Sequence, residues 1–151
     1  MSEADTIRNA TVEDLDAIVR MGQRFLTSST YARLLEENPA QMRRFAEQLL
    51  KRPDGHILIA ERDGEAVGMV AFYVFPHFYS GEMMAGELIW WVEPEHRAGR
   101  VGLKLLRIME ELAKTLGCVK MQMIAPNERI GELYRRLGYV WVEETYQRSL
   151  T

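Results

Sequence analysis

The stretch HILIAERDGEAVGMVAFYVF, residues 56–75, leaves the chain little choice of fold. Apolar residues run almost without a break on both sides of Asp63-Gly64. An Asp-Gly pair between two such runs is the dipeptide a two-residue hairpin prefers, because both turn positions need positive φ. A third run, AGELIWWV at 85–92, follows closely. Strands this apolar need cover from other elements, and the flanking segments carry the period that supplies it.

Thr6 to Ala10 reads as a short strand. Thr11 can cap the helix that follows, with Asp14 at the capping-box position, and Leu15, Ile18, Val19, Gly22, Phe25 and Leu26 recur at helical spacing. Asn38-Pro39 opens a second helix, with Met42, Phe45, Ala46, Leu49 and Leu50 on one side, and Pro53-Asp54-Gly55 ends it. Beyond the third strand, Val101, Leu105, Ile108, Leu112 and Leu116 mark the sheet-facing side of a third helix, which Gly117 stops. VKMQMIA, 119–125, is an apolar strand. Pro126-Asn127 starts a last helix that closes at Gly138, and YVWVEETYQRSL, 139–150, finishes as a strand. The order β-α-α-β-β-β-α-β-α-β predicts one α/β domain over residues 1–151, a mixed sheet flanked by helices.

Net charge is −3 and no basic run stands out, so no nucleic-acid footprint is expected. The N-terminus, MSEADTIRNATVEDL, is polar and acidic where a secretory leader is basic and then apolar, and no apolar run is long enough to span a bilayer. Cys118 is the only cysteine, which excludes an intrachain disulfide and a cysteine-based zinc site and points to the cytoplasm. His56, His77 and His96 show no metal-ligand spacing, and no metal is assigned.

Between the AGELIWWV strand and the third helix lies a basic, glycine-bearing turn, Arg97-Ala98-Gly99-Arg100-Val101-Gly102. Such a handover leaves the first N–H groups of the helix exposed, and the helix dipole places partial positive charge there, a seat for an anion. The turn lacks GxxxxGK[ST] and the full GxGxxG, which demotes ATP and NAD. A pyrophosphate held by successive N–H groups, with a further phosphate reached by Arg or Lys, is compatible, and coenzyme A carries that arrangement. Arg100, Lys104 and Arg107 share one helix face that reads either as part of this site or as an ordinary solvated stripe. In NERIGELYRRLGY, 127–139, Asn127 is a natural N-cap and Tyr134 falls on the apolar face, as a core aromatic or as a working hydroxyl.

A strand, a proline, an R/QxxGxG/A turn and a helix, then a strand, an Asn and Leu-Tyr-x-x-Leu-Gly-Tyr/Phe, resemble the GNAT superfamily of N-acetyltransferases. Here those parts are ELIWWVEPEHRAGRVGLKLL, VKMQMIA and NERIGELYRRLGY. The element order resembles the family's along nearly the whole chain. One departure stands out: aligned from Arg97, the family's first glycine falls on Arg100, Gly102 is kept, and Gly99 sits one place early.

The resemblance implies acetyl-CoA as cosubstrate, with Trp90, Trp91 and Val92 beside the pantetheine arm. It implies Arg97, Ala98, Gly99, Arg100, Val101, Gly102, Leu103 and Lys104 around the phosphates and Asn127 on the pantetheine side. It further implies direct acetyl transfer to a primary amine of a small molecule or peptide. Tyr134 matches the family's motif tyrosine and is the candidate acid for the departing thiolate. Glu87 is the candidate base, although it lies one residue off the expected register, a slip that reverses a side chain's face unless a bulge restores it. Gln122 stands where other members carry a glutamate, and an amide cannot act as a base. Backbone N–H groups around Val92 are the expected partners of the thioester carbonyl. FPHFYSGEMM, 75–84, joins two strands near the expected acceptor cleft, so Phe75, His77 and Tyr79, with Tyr31 between the first two helices, are candidate acceptor contacts. The same aromatic loop suits a homodimer contact. The alternative to an enzyme is a non-catalytic CoA-binding regulatory module of the same fold.

Overall fold

Asp63 and Gly64 both adopt positive φ, 53° and 76°, and the tight turn they form joins two antiparallel neighbours of the sheet. The computed structural model describes residues 5–151. Five strands stand in the order β1 (Thr6–Asn9), β2 (Gly55–Arg62), β3 (Glu65–Pro76), β4 (Met83–Val92) and β5 (Lys120–Gln122). All neighbours are antiparallel except β4 and β5, which run parallel. Four helices cover the sheet: α1 (Leu15–Ser28), α2 (Pro39–Lys51), α3 (Val101–Thr115) and α4 (Glu128–Arg136).

The helix starts follow their capping residues. Thr11 and Asp14 close a capping box on a 3-10 turn that runs straight into α1, and Asp14 also takes both terminal nitrogens of Arg8 at 2.8 Å. Asn38 accepts the Gln41 N–H ahead of Pro39, and Asn127 accepts the Ile130 N–H. Gly117 and Gly138 stop α3 and α4 at φ 85° and 94°, where a β-carbon would be strained.

Strand alternation splits the core in two. Leu15, Ile18 and Met21 of α1 and Ala46 and Leu49 of α2 pack on Ile57, Ile59, Met69, Ala71 and Trp91. On the other face Val101, Leu105, Met109 and Ala113 of α3 pack on Leu58, Val70, Phe72, Ala85 and Val92. The buried stripe of α3 therefore advances four residues at a time, and Ile108 and Leu116, expected on it, are 39% and 38% exposed. Among the described residues no helix is long and apolar enough to cross a membrane.

The C-terminal end differs from the sequence expectation. Residues 119–125 were expected as one strand, yet only Lys120–Gln122 pair, and the expected strand at 139–150 is not formed. Alternating apolar residues give a segment the capacity for a strand, but a ladder needs a presented edge. β5 offers three residues, and its continuation is drawn off by a side chain of β4, described below.

Gly55, at the start of β2, is pressed against the end of α2: a β-carbon there would lie 2.5 Å from the Leu49 carbonyl oxygen and 2.6 Å from Leu49 Cδ1. Gly55→Ala must push helix and strand apart. It should lower stability by about 1–3 kcal/mol, read as an earlier urea midpoint with an unchanged slope.

Candidate active site

The parallel ladder between β4 and β5 pairs Met84 with Lys120, Ala85 with Met121 and Gly86 with Gln122, and then stops. β4 continues six residues to Val92, while the other chain leaves toward α4, so the strands open into a cleft. At its apex lies Glu87. The β3–β4 register passes from Phe72↔Glu87 to Ala71↔Ile89, which makes Leu88 an extra, unpaired residue, a β-bulge. The bulge reverses the parity of the strand, and Glu87 shares a face with its partner Phe72, which belongs to the α3-side core.

Glu87 is 6% exposed, and its Oε2 accepts the N–H of Ile124 at 2.9 Å. Burial disfavours the charged form and pushes its pKa up to about 7, against the pull of that one hydrogen bond. The hydroxyl of Tyr134 donates to the carbonyl of the same Ile124 at 3.2 Å. Burial first, then the neighbouring charge of Glu87, raises the phenol's pKa above its ordinary range. Tyr134 stacks on Trp90, centroids 5.9 Å apart, and the Trp90 indole N–H donates to the Gly102 carbonyl at 3.1 Å. One chain of contacts thus links the carboxyl, the phenol and the first turn of α3.

The turn itself is fixed by Arg97. Its Nε donates to the Val92 carbonyl at 2.8 Å, and its guanidinium lies 4.4 Å above the Trp91 ring. Burial lowers its pKa somewhat. Arg24 of α1 adds a brace, bonding the buried Glu93 and, at 3.3 Å, Glu95. Ala98, Gly99 and Arg100 are exposed, and α3 starts at Val101 without a side-chain cap, so its first N–H groups face outward unclaimed by a capping side chain. Arg100 sits at φ −106°, an ordinary conformation, so nothing in the backbone demands glycine there. A β-carbon on Gly102 would touch Trp90 and Val92 at 3.5 Å. Leu103 is half-buried, and Lys104 donates to the Asp5 carbonyl at 2.7 Å.

Alternation sends the three residues expected beside a bound arm to different places. Trp90 turns toward α3 and Tyr134, while Trp91 turns into the opposite core against Phe25. Val92 stays in the ladder opposite Gly68. Asn127 spends its side-chain oxygen on the α4 cap. On the acceptor side, Phe75 lies against Gly86, one residue from Glu87. His77, Phe78 and Tyr79 stack in succession on the β3–β4 loop, with the His77 ring nitrogen accepting the Tyr79 N–H at 3.2 Å. Tyr31 sits on the 3-10 turn after α1. Sequence reading missed the bulge at Leu88, the bridging role of Ile124 and the Arg24–Glu93 brace; only the register mismatch at Glu87 carried a signal for the first.

Residues 21–139 match the family model described as the acetyltransferase (GNAT) family. The chain is 31% identical over 117 residues to an amino-acid acetyltransferase of Vibrio vulnificus, covering 78% of this chain and 23% of that one, so it spans about a quarter of the length of such curated relatives. Among solved structures, a transcriptional regulator from Bacillus halodurans C-125 superposes with a TM-score of 0.81 at 25% identity, over 97% of this chain and 100% of that one. A predicted acetyltransferase from Clostridium acetobutylicum, solved with acetyl-CoA, superposes with a TM-score of 0.78 at 18% identity, over 97% of each chain.

The raised carboxyl has a consequence for stability. Between Glu87's ordinary value of 4.5 and about 7 the folded state binds more proton than the unfolded one, so its contribution is full below 4.5 and is lost as pH rises through 7. Glu87→Gln should remove this slope, and the variant should gain on the parent by on the order of 2–3 kcal/mol between pH 4.5 and pH 8. Urea midpoints of both proteins at the two pH values measure it; parallel profiles would contradict the assignment.

Proposed function

Because the chain belongs to the GNAT acetyltransferase family, we propose that it moves an acetyl group from acetyl-CoA directly to a primary amine of a small molecule or peptide. The observation that carries this reading is the placement of Glu87 and Tyr134 on either side of Ile124, at the apex of the β4–β5 cleft. The relatives named amino-acid acetyltransferases make an amino acid the first acceptor to try. The cytoplasm is the compartment we propose for it, on the single cysteine.

The fit to acetyl-CoA rests on the uncapped start of α3, whose exposed Gly99–Arg100 approach and outward N–H groups suit a pyrophosphate, with Arg100 beside it for a further phosphate. Arg97 also holds the turn to Val92 and Trp91. When bound, acetyl-CoA supplies an activated acetyl thioester. The chain's own residues supply the proton handling.

An acceptor amine with a pKa of about 10 is ammonium at neutral pH and must lose a proton before it can attack. Glu87, with a pKa of about 7, is half ionised there and suited to take that proton, directly or through water. The unpaired backbone of Leu88 is the nearest irregularity in β4 from which an N–H can face the acetyl carbonyl. As the C–N bond forms and the C–S bond breaks, the sulfur leaves with negative charge, and Tyr134 is the donor for it. Its raised pKa keeps it protonated through the neutral range and makes full proton transfer to a thiolate uphill, so the hydrogen bond itself carries most of the stabilisation. Cys118 lies across β5, outside this cluster, and takes no part.

Calorimetric titration with acetyl-CoA, and release of free thiol in the presence of amino-acid acceptors, test the reading. Glu87→Gln should bind acetyl-CoA as the parent does while turnover falls about 100- to 10,000-fold and the rise of rate near pH 7 disappears. Tyr134→Phe should lower kcat with acetyl-CoA affinity kept. Acetyl-CoA binding with no acceptor turnover, unaffected by either change, would favour the non-catalytic module.

A further inference from the structure

The face of the sheet that carries α1 and α2 is left partly bare at one end. α2 ends at Lys51, and the strand that follows opens at Gly55, opposite Tyr73 of β3. Tyr73 is 36% exposed and Phe75 half-buried, and both lie on this face, because the intervening Phe72 and Val74 turn into the α3-side core. The two rings stack with centroids 5.1 Å apart. Phe75 leans across β4 onto Gly86, where a β-carbon would lie 2.9 Å from its Cε1. In the register Phe75 stands opposite Met84 and Tyr73 opposite Gly86, so the missing side chain at Gly86 gives the ring its place. Gly86 is also the last rung of the β4–β5 ladder, opposite Gln122, and Glu87 follows it. The ring therefore lies at the closed end of the cleft, across the sheet from the Glu87 carboxyl, and the gap between the strands joins the two sides. Positions 73, 75, 84, 86 and 88, which share this face around the gap, are Tyr, Phe, Met, Gly and Leu, none of them charged.

We infer that this aromatic ledge seats the acceptor, and that the acceptor is an amine joined by a short aliphatic linker to an aromatic ring. The inference rests on the acetyl-transfer reading and names the substrate class of that site. A ring stacked on Phe75 continues the pairing that Tyr73 begins, and its amine is then directed past Gly86 into the gap, toward the carboxyl suited to take its proton. A polyamine or an acidic amino acid would bring a charge onto the ledge, where these positions offer it no partner. Gly86 serves the same end, since a side chain there would displace the ring and obstruct the step from ledge to gap.

Binding is read without turnover by calorimetric titration of 2-phenylethylamine into the protein, free and with saturating CoA. Glutamate, spermidine and isoamylamine, which is apolar but has no ring, are titrated beside it. 2-Phenylethylamine should bind several-fold more tightly than the other three. Phe75→Leu keeps the apolar bulk and should weaken that binding about 2- to 10-fold, the contribution of an aromatic pair, with CoA affinity unchanged. With acetyl-CoA, the same variant should raise KM for 2-phenylethylamine more than it lowers kcat, a split that a general loss of structure would not produce. Tyr73→Ala, at an exposed position, should weaken the same ligand and keeps the test open should the first variant misfold. Equal binding of the four amines, binding of none, tighter binding of glutamate or spermidine, or a 2-phenylethylamine affinity indifferent to both variants would overturn the inference while leaving transfer to another amine intact. Selective binding of 2-phenylethylamine without acetyl transfer to any of the four would support the ledge as an aromatic-amine site and count against the transfer reading.

Discussion

The hydrogen bond from the Ile124 N–H to Glu87 decides how the rest of the molecule is arranged around its cleft. A backbone N–H leaving a ladder must find another acceptor, and here the acceptor is a side chain of the neighbouring strand. By taking it, Glu87 ends the pairing of β4 with β5 after three residues and holds the two strands at the start of their divergence. Tyr134 takes the carbonyl of the same residue, so α4 is tied to the same point from the other side. Two titratable side chains are thereby tied to the backbone of one residue.

The turn before α3 shows a comparable division of labour. An anion site at a helix start needs N–H groups in a fixed direction more than it needs a cationic side chain in contact. Arg97 supplies the fixing: its bond to Val92 and its position over Trp91 tie the turn to the end of β4, whose other residues run back to Glu87. Trp90 closes the circuit by bonding the Gly102 carbonyl and stacking on Tyr134. The start of α3 and the Glu87–Tyr134 pair are therefore linked through β4, with two tryptophans pointing to opposite faces of it.

Most of this frame was legible in the residues. Asp63-Gly64, the Thr11–Asp14 box, Asn38-Pro39, Asn127 and the stops at Gly117 and Gly138 are local signals, and local physics carries them into the structure. What sequence reading missed depends on pairing between distant segments. The mismatch at Glu87 was visible, but only the register against β3 shows that Leu88 absorbs it. The buried stripe of α3 passes through Met109 and Ala113, leaving Ile108 and Leu116 at its margin, because helix rotation is set by the sheet beneath. The expected strand at 139–150 is not formed for the same reason: a segment with strand-forming residues names no partner.

That failure connects the two ends of the molecule. If Glu87 did not capture Ile124, β5 could run on beside β4 and present a longer outer edge, and the cleft would close. The opening between the strands is thus the same feature that leaves β5 a three-residue edge with an exposed Val119. Short edges resist indiscriminate pairing. The geometry that opens the cleft on one side of β5 therefore also shapes what can complete the sheet on the other.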